Sequence, residues 1–562
     1  MSRNVSFEVQ VLTDKNWVIA ETAKDENQAK AFADNLLQTG NHAAVRVVRD
    51  WTRPDGLHAE TVVLEKQSTE KKGTDLSLAP ITEAPPCREL ADFYGSAARL
   101  TLGRLCRKYF DEMGVTPTEM LHSHAELKRF GDKDRLLFSA IDRVATLQAA
   151  AMGEEPKARR DFLGKCWDDL CIRARQVSDG KKLAPPKALA DILKAKPGDD
   201  GDVGYMRQTL MSARLLEVRN LPGKLDILLK WAAEPGGTEI LPLIDGFTAD
   251  VVLSAQVIQD LLGFQPNLAH ALCSLCDLAE GVAQPAKFAP DSFGQLNALF
   301  ADGSLPQARE VLLGRVAREL GGANPLSRNE PKLEYEMFSK VAHRLVCHEK
   351  VLGGGAQAEA LLHRSARVHN TGSNAVKQAL DFLLSALADT VHRVQLLVAL
   401  AGTEVGRGLG DQLVKELKAR VLGSDHIDLW VPVRHPPRDR MAALAAVART
   451  LAASESLDAE IKAELATHVD EMLAKYLVDE GVIEKIDKQD DPLALRAIRL
   501  VKFCGSGVLI DGKSMALARA AVVEHLRQPQ FEEKFLASVG DPAKAEKSLR
   551  EFHKLLLDSG FR

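Results

Sequence analysis

Two periods of apolar and polar positions divide this chain. In the first 66 residues the period is two. Phe7, Val9 and Val11 alternate with polar neighbours, and WVIAET (17–22) alternates again after Asp14-Lys15-Asn16, which predicts a hairpin. Ala29, Phe32, Ala33, Leu36 and Leu37 then follow the spacing of one buried helix face, with Asp25 placed to cap the helix and Gly40 to end it. VRVVRDW (45–51) and ETVVLEK (60–66) restore the strand pattern on either side of the turn signal Thr52-Arg53-Pro54-Asp55-Gly56. A small α+β domain of ββαββ order is therefore expected over 1–66, its helix covering one sheet face.

QSTEKKGTDLSLAPITEAPP (67–86) has no apolar period and reads as a flexible linker. From Cys87 onward the period is that of helices. Amphipathic stretches such as ADVVLSAQVIQDLLG (249–263) and MALARAAVVEHLRQP (515–529) are parted by short Gly, Pro or Asp breaks, about twenty helices at usual lengths. No repeat of fixed period runs through them, so an irregular stack of helical hairpins is expected. Two breaks are longer. Residues 178–205 read as a mobile surface loop with one short helix, and HIDLWVPVRHPPR (426–438) is held extended by its prolines. The reading is a mainly α protein: a 1–66 ββαββ domain, a 67–86 linker, an all-α domain at 87–425, a Pro-rich connection at 426–440 and a C-terminal helical subdomain at 441–562.

Composition narrows the partners. The 73 Lys and Arg nearly balance the 78 Asp and Glu, for a formal net charge of -5, which argues against nucleic acid or an anionic membrane as the main partner. No apolar run reaches the roughly 18 residues of a membrane span, and MSRNVSFEVQ lacks a signal-peptide core. Eight scattered cysteines in apolar settings fit reduced thiols, and a cytoplasmic location is expected.

Four constellations invite a chemical reading. GVLIDGKS (507–514) matches the G-x-x-x-x-G-K-[ST] pattern of a phosphate-binding loop, making Gly507, Gly512, Lys513 and Ser514 candidate nucleotide-binding residues. The chemistry needs a strand before the loop, yet DPLALRAIRLVKFC has helical period, and Val508, Leu509 and Ile510 are bulky where the backbone must approach phosphate. The segment reads better as a helix ended by Gly505 or Gly507, an apolar plug, and a new helix near 511–514. His343, Cys347 and His363 could converge as metal ligands if two neighbouring helices pack antiparallel. Cys273 and Cys276 form a CxxC without a second pair, better explained by an apolar helix stripe. Trp430, Arg434 and Arg438 in the Pro-rich segment are candidates for contact with an acidic partner or phosphate.

No catalytic constellation stands out. The expectation is a non-catalytic scaffold or adaptor without a cofactor, binding other proteins through its helical stack and tethered small domain, and able to form homo-oligomers through edge strands. The alternative is an enzyme: a nucleotide hydrolase at Gly507–Ser514, or a metal enzyme at His343, Cys347 and His363.

Overall fold

The computed structural model describes residues 5–13, 16–38, 44–52, 58–67, 77–133, 135–178, 183–196, 202–287, 289–328, 330–369, 375–539 and 542–561. They fall into two compact units, Met1–Ser77 and Leu78–Arg562.

The first unit is the expected ββαββ fold. Strands β1 (Val5–Thr13), β2 (Asn16–Ala23), β3 (Ala44–Thr52) and β4 (His58–Gln67) form one antiparallel sheet in the order β2-β1-β3-β4, and helix α1 (Glu26–Gln38) follows β2. Val9 lies opposite Val47 and Val11 opposite Val45, so the period-two residues of β1 and β3 share a face, and all four are buried. Ala29, Phe32, Ala33 and Leu36 of α1 are buried with them, and Asp25 caps the helix by accepting from the Gln28 N–H at 2.9 Å. The expected turns at 14–15 and 53–56 and the Gly40 helix stop lie outside the described residues. β2 and β4 are the sheet edges and expose Val18, Ile19 and Val62.

The second unit is helical throughout. Among the described residues the chain has thirty α-helices, more than the sequence period resolves, because elements such as Leu90–Tyr94, Pro117–Leu121 and Ile427–Trp430 are too short to show a period. Consecutive helices form hairpins, as Leu136–Met152 with Pro156–Val177 and Pro437–Ala453 with Ala459–Asp479. Others form a ladder. Leu241–Val252 packs on Pro306–Gly321, which meets Gly355–His369, then Thr390–Ala401, Pro437–Ala453, Ala459–Asp479 and Lys513–Leu526 in turn. One apolar core runs along it from Leu221 to Phe552. No single helix among the described residues is long and apolar enough to cross a membrane.

Three expected connections differ in detail. Of the 67–86 linker, residues 68–76 lie outside the described residues. Its second half packs on the helical unit: Ile81 and Ala84 are buried, the Ala79 N–H donates to the Leu105 carbonyl at 2.8 Å, and Gln148 Nε2 donates to the Pro85 carbonyl at 2.6 Å. Of the expected 178–205 loop, residues 179–182 and 197–201 lie outside the described residues, and its short helix Leu189–Leu193 buries Leu189 and Ile192 in a local core with Leu215, Leu228 and Phe247. Between 426 and 440 the core continues through Ile427, Trp430 and Val431 to Met441 and Leu444.

Candidate functional site

GVLIDGKS lies between two helices. Leu493–Cys504 precedes it, as the helical period predicts, and Lys513–Leu526 follows. Gly507 takes φ +73°, a left-handed turn that favours glycine. Val508 and Leu509 are buried as a plug. The N-terminus of the second helix already holds an anion. The Asp470 carboxylate, from the Ala459–Asp479 helix, accepts from the Lys513 and Ser514 N–H groups and from Ser514 Oγ, the last two at 3.0 and 2.6 Å. A Cβ on Gly512 would stand 2.2 Å from Asp470 Oδ2, so glycine is required there for close approach. Lys513 Nζ is paired with Glu471 Oε1 at 2.6 Å. The groups that would cradle phosphate are thus engaged by two carboxylates, and the arrangement is a tertiary helix cap.

The proposed metal trio does not assemble. His343 is exposed and its Nδ1 pairs with the Ser339 carbonyl at 2.7 Å; Cys347 Sγ faces the Arg344 carbonyl at 3.7 Å; His363 is exposed beside Glu359 at 3.5 Å. Among the described residues these three do not form a converging group of ligand atoms. Instead, among the described residues, three other ligand-type side chains converge: His348, Asp389 and His392, each with a ligand atom within 4.8 Å of the others. Asp389 Oδ2 lies 2.8 Å from His348 Nε2 and Oδ1 2.7 Å from His392 Nδ1. These hydrogen bonds outweigh burial and hold the Asp389 carboxyl far below the usual carboxylate range. Cys273 and Cys276 lie along the Leu268–Ala279 helix, and burial raises both thiols, Cys276 to about 12, so neither is an activated thiolate.

In the Pro-rich segment Trp430 is fully buried in the core, which corrects its assignment to partner contact. Burying a ring of that size stabilises the helical stack, and of the three candidates Arg434 and Arg438 are the exposed ones. Arg440, also buried, pairs with Asp428 and lies over the Tyr476 ring at 5.3 Å.

A broad concavity lies elsewhere, in a part of the surface that no motif marks. A groove of about 810 Å³ runs between the Ser96–Leu105 and Pro306–Gly321 helices, with Glu83 and Pro85 on one rim and residues 350–357 on the other. Half-buried Leu100, Leu253 and Ala317 form an apolar floor. Arg104, Arg309, Arg318 and Lys350 line it against only Glu83 and Glu310. Among the described residues none of these four cations has a carboxylate within ion-pair distance. Burial lowers the Arg318 pKa, and the guanidinium groups of Arg104 and Arg315 lower it further, partly offset by Glu319 and Glu83. Arg104 Nε is buried with no hydrogen-bond partner among the described residues. Crowded guanidinium groups without a carboxylate at ion-pair distance, over an apolar floor, constitute an anion-seeking surface. Comparison with protein-family models, with curated proteins and with solved structures finds no match for this chain.

Proposed function

We propose that this protein acts by binding another protein, and that the groove between Ser96–Leu105 and Pro306–Gly321 receives an acidic, partly apolar segment of that partner. The observation carrying this reading is the set of four cations, none with a carboxylate at ion-pair distance among the described residues, beside Leu100, Leu253 and Ala317. A segment bearing spaced carboxylates neutralises those cations, while its apolar side chains cover the floor. The exposed edge strands of the small domain offer a second contact, tethered and so at raised effective concentration. Nucleic acid fits less well, because Glu83 and Glu310 also line the groove and the chain carries net negative charge.

The test is affinity capture from the source cell with the full chain and with the Arg104→Glu/Arg318→Glu variant, whose fold is checked by circular dichroism. A retained protein whose binding weakens with salt and drops at least tenfold in the variant is expected. The proposal fails if the folded variant retains the same proteins equally well, or if neither chain retains any protein in stoichiometric amount.

A further inference from the structure

We propose that His348, Asp389 and His392 bind a divalent transition-metal ion, zinc in the first instance, at a site independent of the groove. Two imidazoles and one carboxylate are a donor set suited to zinc and poorly suited to magnesium or calcium, which take mainly oxygen. The ligand atoms already converge. Bonds of about 2.0–2.2 Å to a tetrahedral ion place ligand atoms about 3.3–3.6 Å apart. Asp389 Oδ2 to His348 Nε2 is 2.8 Å and Oδ1 to His392 Nδ1 is 2.7 Å, both shorter than that spacing, so the imidazoles must move outward from the carboxylate to admit the ion.

The three side chains are held from behind by other contacts. Asp389 is the N-cap of Thr390–Ala401 and accepts from the His392 N–H at 3.0 Å, which fixes carboxylate and imidazole on one helical turn. One turn further along, Gln395 Nε2 donates to the His348 carbonyl at 2.8 Å and ties the second segment to the first. His348 itself sits in a tight turn, closed by Cys347 N–H to the Lys350 carbonyl at 2.9 Å and Leu352 N–H to the Leu345 carbonyl at 2.8 Å. Contacts of this kind fix the backbones that carry the three side chains and so lessen the ordering cost of binding an ion. Asp389 is 6% exposed, while the His348 and His392 side chains keep 18% and 13%, so the site is sheltered yet reachable by an ion. A second observation points the same way: the His348 and His392 rings lie 4.4 Å apart, with His435 at 5.5 Å from His348 and His343 at 6.4 Å from His392. Two of these four neighbouring imidazoles reach the Asp389 carboxylate, and His435 and His343 add nitrogen-bearing rings beside them.

The experiment uses the full chain, stripped with a chelator and dialysed against zinc, with bound metal counted by atomic emission and affinity read by competition with a chromophoric chelator. One zinc per chain is expected, unaffected by millimolar magnesium and weakened at least 100-fold in His348→Ala and His392→Ala. His363→Ala and the Cys273→Ala/Cys276→Ala pair should bind as the unmodified chain does. Cobalt substitution in the unmodified chain gives a readout that does not depend on how the variants fold. Visible ligand-field bands without a thiolate charge-transfer band are expected. Substoichiometric metal, affinity unchanged in folded His348→Ala and His392→Ala, or a thiolate band would each overturn the proposal and leave a hydrogen-bonded His–Asp–His triad.

Discussion

Removing Asp470 tests whether GVLIDGKS is a capped helix start. In Asp470→Ala the first turn of Lys513–Leu526 loses its acceptor for two backbone N–H groups and for Ser514 Oγ. Loss of an N-cap costs about 0.5–2 kcal/mol, and a hydrogen bond to a charged group contributes about 1.5–3 kcal/mol. Against that, Asp470 is only 6% exposed, so deleting its carboxylate also removes a desolvation cost. A net loss of about 2–3 kcal/mol is expected. Asp470→Asn, which keeps an acceptor oxygen but no charge, should lose about half as much. Gly512→Ala should resemble Asp470→Ala, because its Cβ would displace the carboxylate. A helical unit this large need not unfold in one step, so the assay is amide hydrogen exchange over 505–526, which reads local opening directly. Protection in the first turn of the helix should fall by roughly 30- to 150-fold, about 2–3 kcal/mol expressed as an opening constant. Unchanged protection in folded Asp470→Ala would refute the capping argument. In the unmodified chain magnesium and ATP should leave exchange at 507–514 unaltered, and clear protection there would restore the nucleotide reading.

Two further perturbations probe charges buried in the helical unit. Lys224 and Glu119 form an ion pair at 0% exposure on both sides, and Lys224→Met should cost about 3–5 kcal/mol by leaving a buried carboxylate alone, whereas Glu119→Leu/Lys224→Met together should recover much of it in chemical denaturation. Burial already raises the Glu119 pKa, so the single variant should be destabilised more as pH rises and its carboxyl must ionise. His122 is buried, its Nδ1 paired with the Thr118 carbonyl at 2.8 Å, and burial lowers its pKa from 6.5 to about 4. Between those two values the unfolded chain binds the extra proton, so stability should be fully present above pH 6.5 and fall as pH drops towards 4. The loss should total about 3 kcal/mol at about 1.36 kcal/mol per pH unit. His122→Asn should flatten that limb of the stability profile in thermal melts across pH 4–7, and an unchanged limb would assign it to other groups.

What the sequence disclosed and what it withheld follow from the range of the forces involved. Alternation in β1 and β3, the spacing along α1 and the Asp25 cap are local, acting within a few residues, and they place the ββαββ unit strand by strand. The helical period before Gly505 is local too, and it separates this segment from a phosphate-binding loop although the letters match. What fills the helix N-terminus is not local. Asp470 reaches Lys513 and Ser514 from 43 and 44 residues away, and Asp245 caps Pro306–Gly321 in the same manner, accepting from Gln307 and Ala308 N–H groups at 2.8 and 2.9 Å. A capping signal read from sequence looks for Ser, Thr, Asp or Asn just before the helix, and neither of these helices has one there. Their starts are determined by the neighbour across the stack, which explains why propensity places the helices but not what occupies their ends. The His348 site escapes for a related reason. Asp389 and His392 stand three apart, a spacing that reads as an ordinary helix cap, and His348 lies 41 residues from Asp389 in a turn of no marked composition. The groove is legible in neither way, since Arg104 and Arg318 lie on helices far apart in sequence and only packing sets them side by side. A motif records which residue types are present, whereas the chemistry depends on which groups remain free once the chain has packed; at 513 and 514 the backbone N–H groups are taken by Asp470, while in the groove four cations have no carboxylate at ion-pair distance among the described residues.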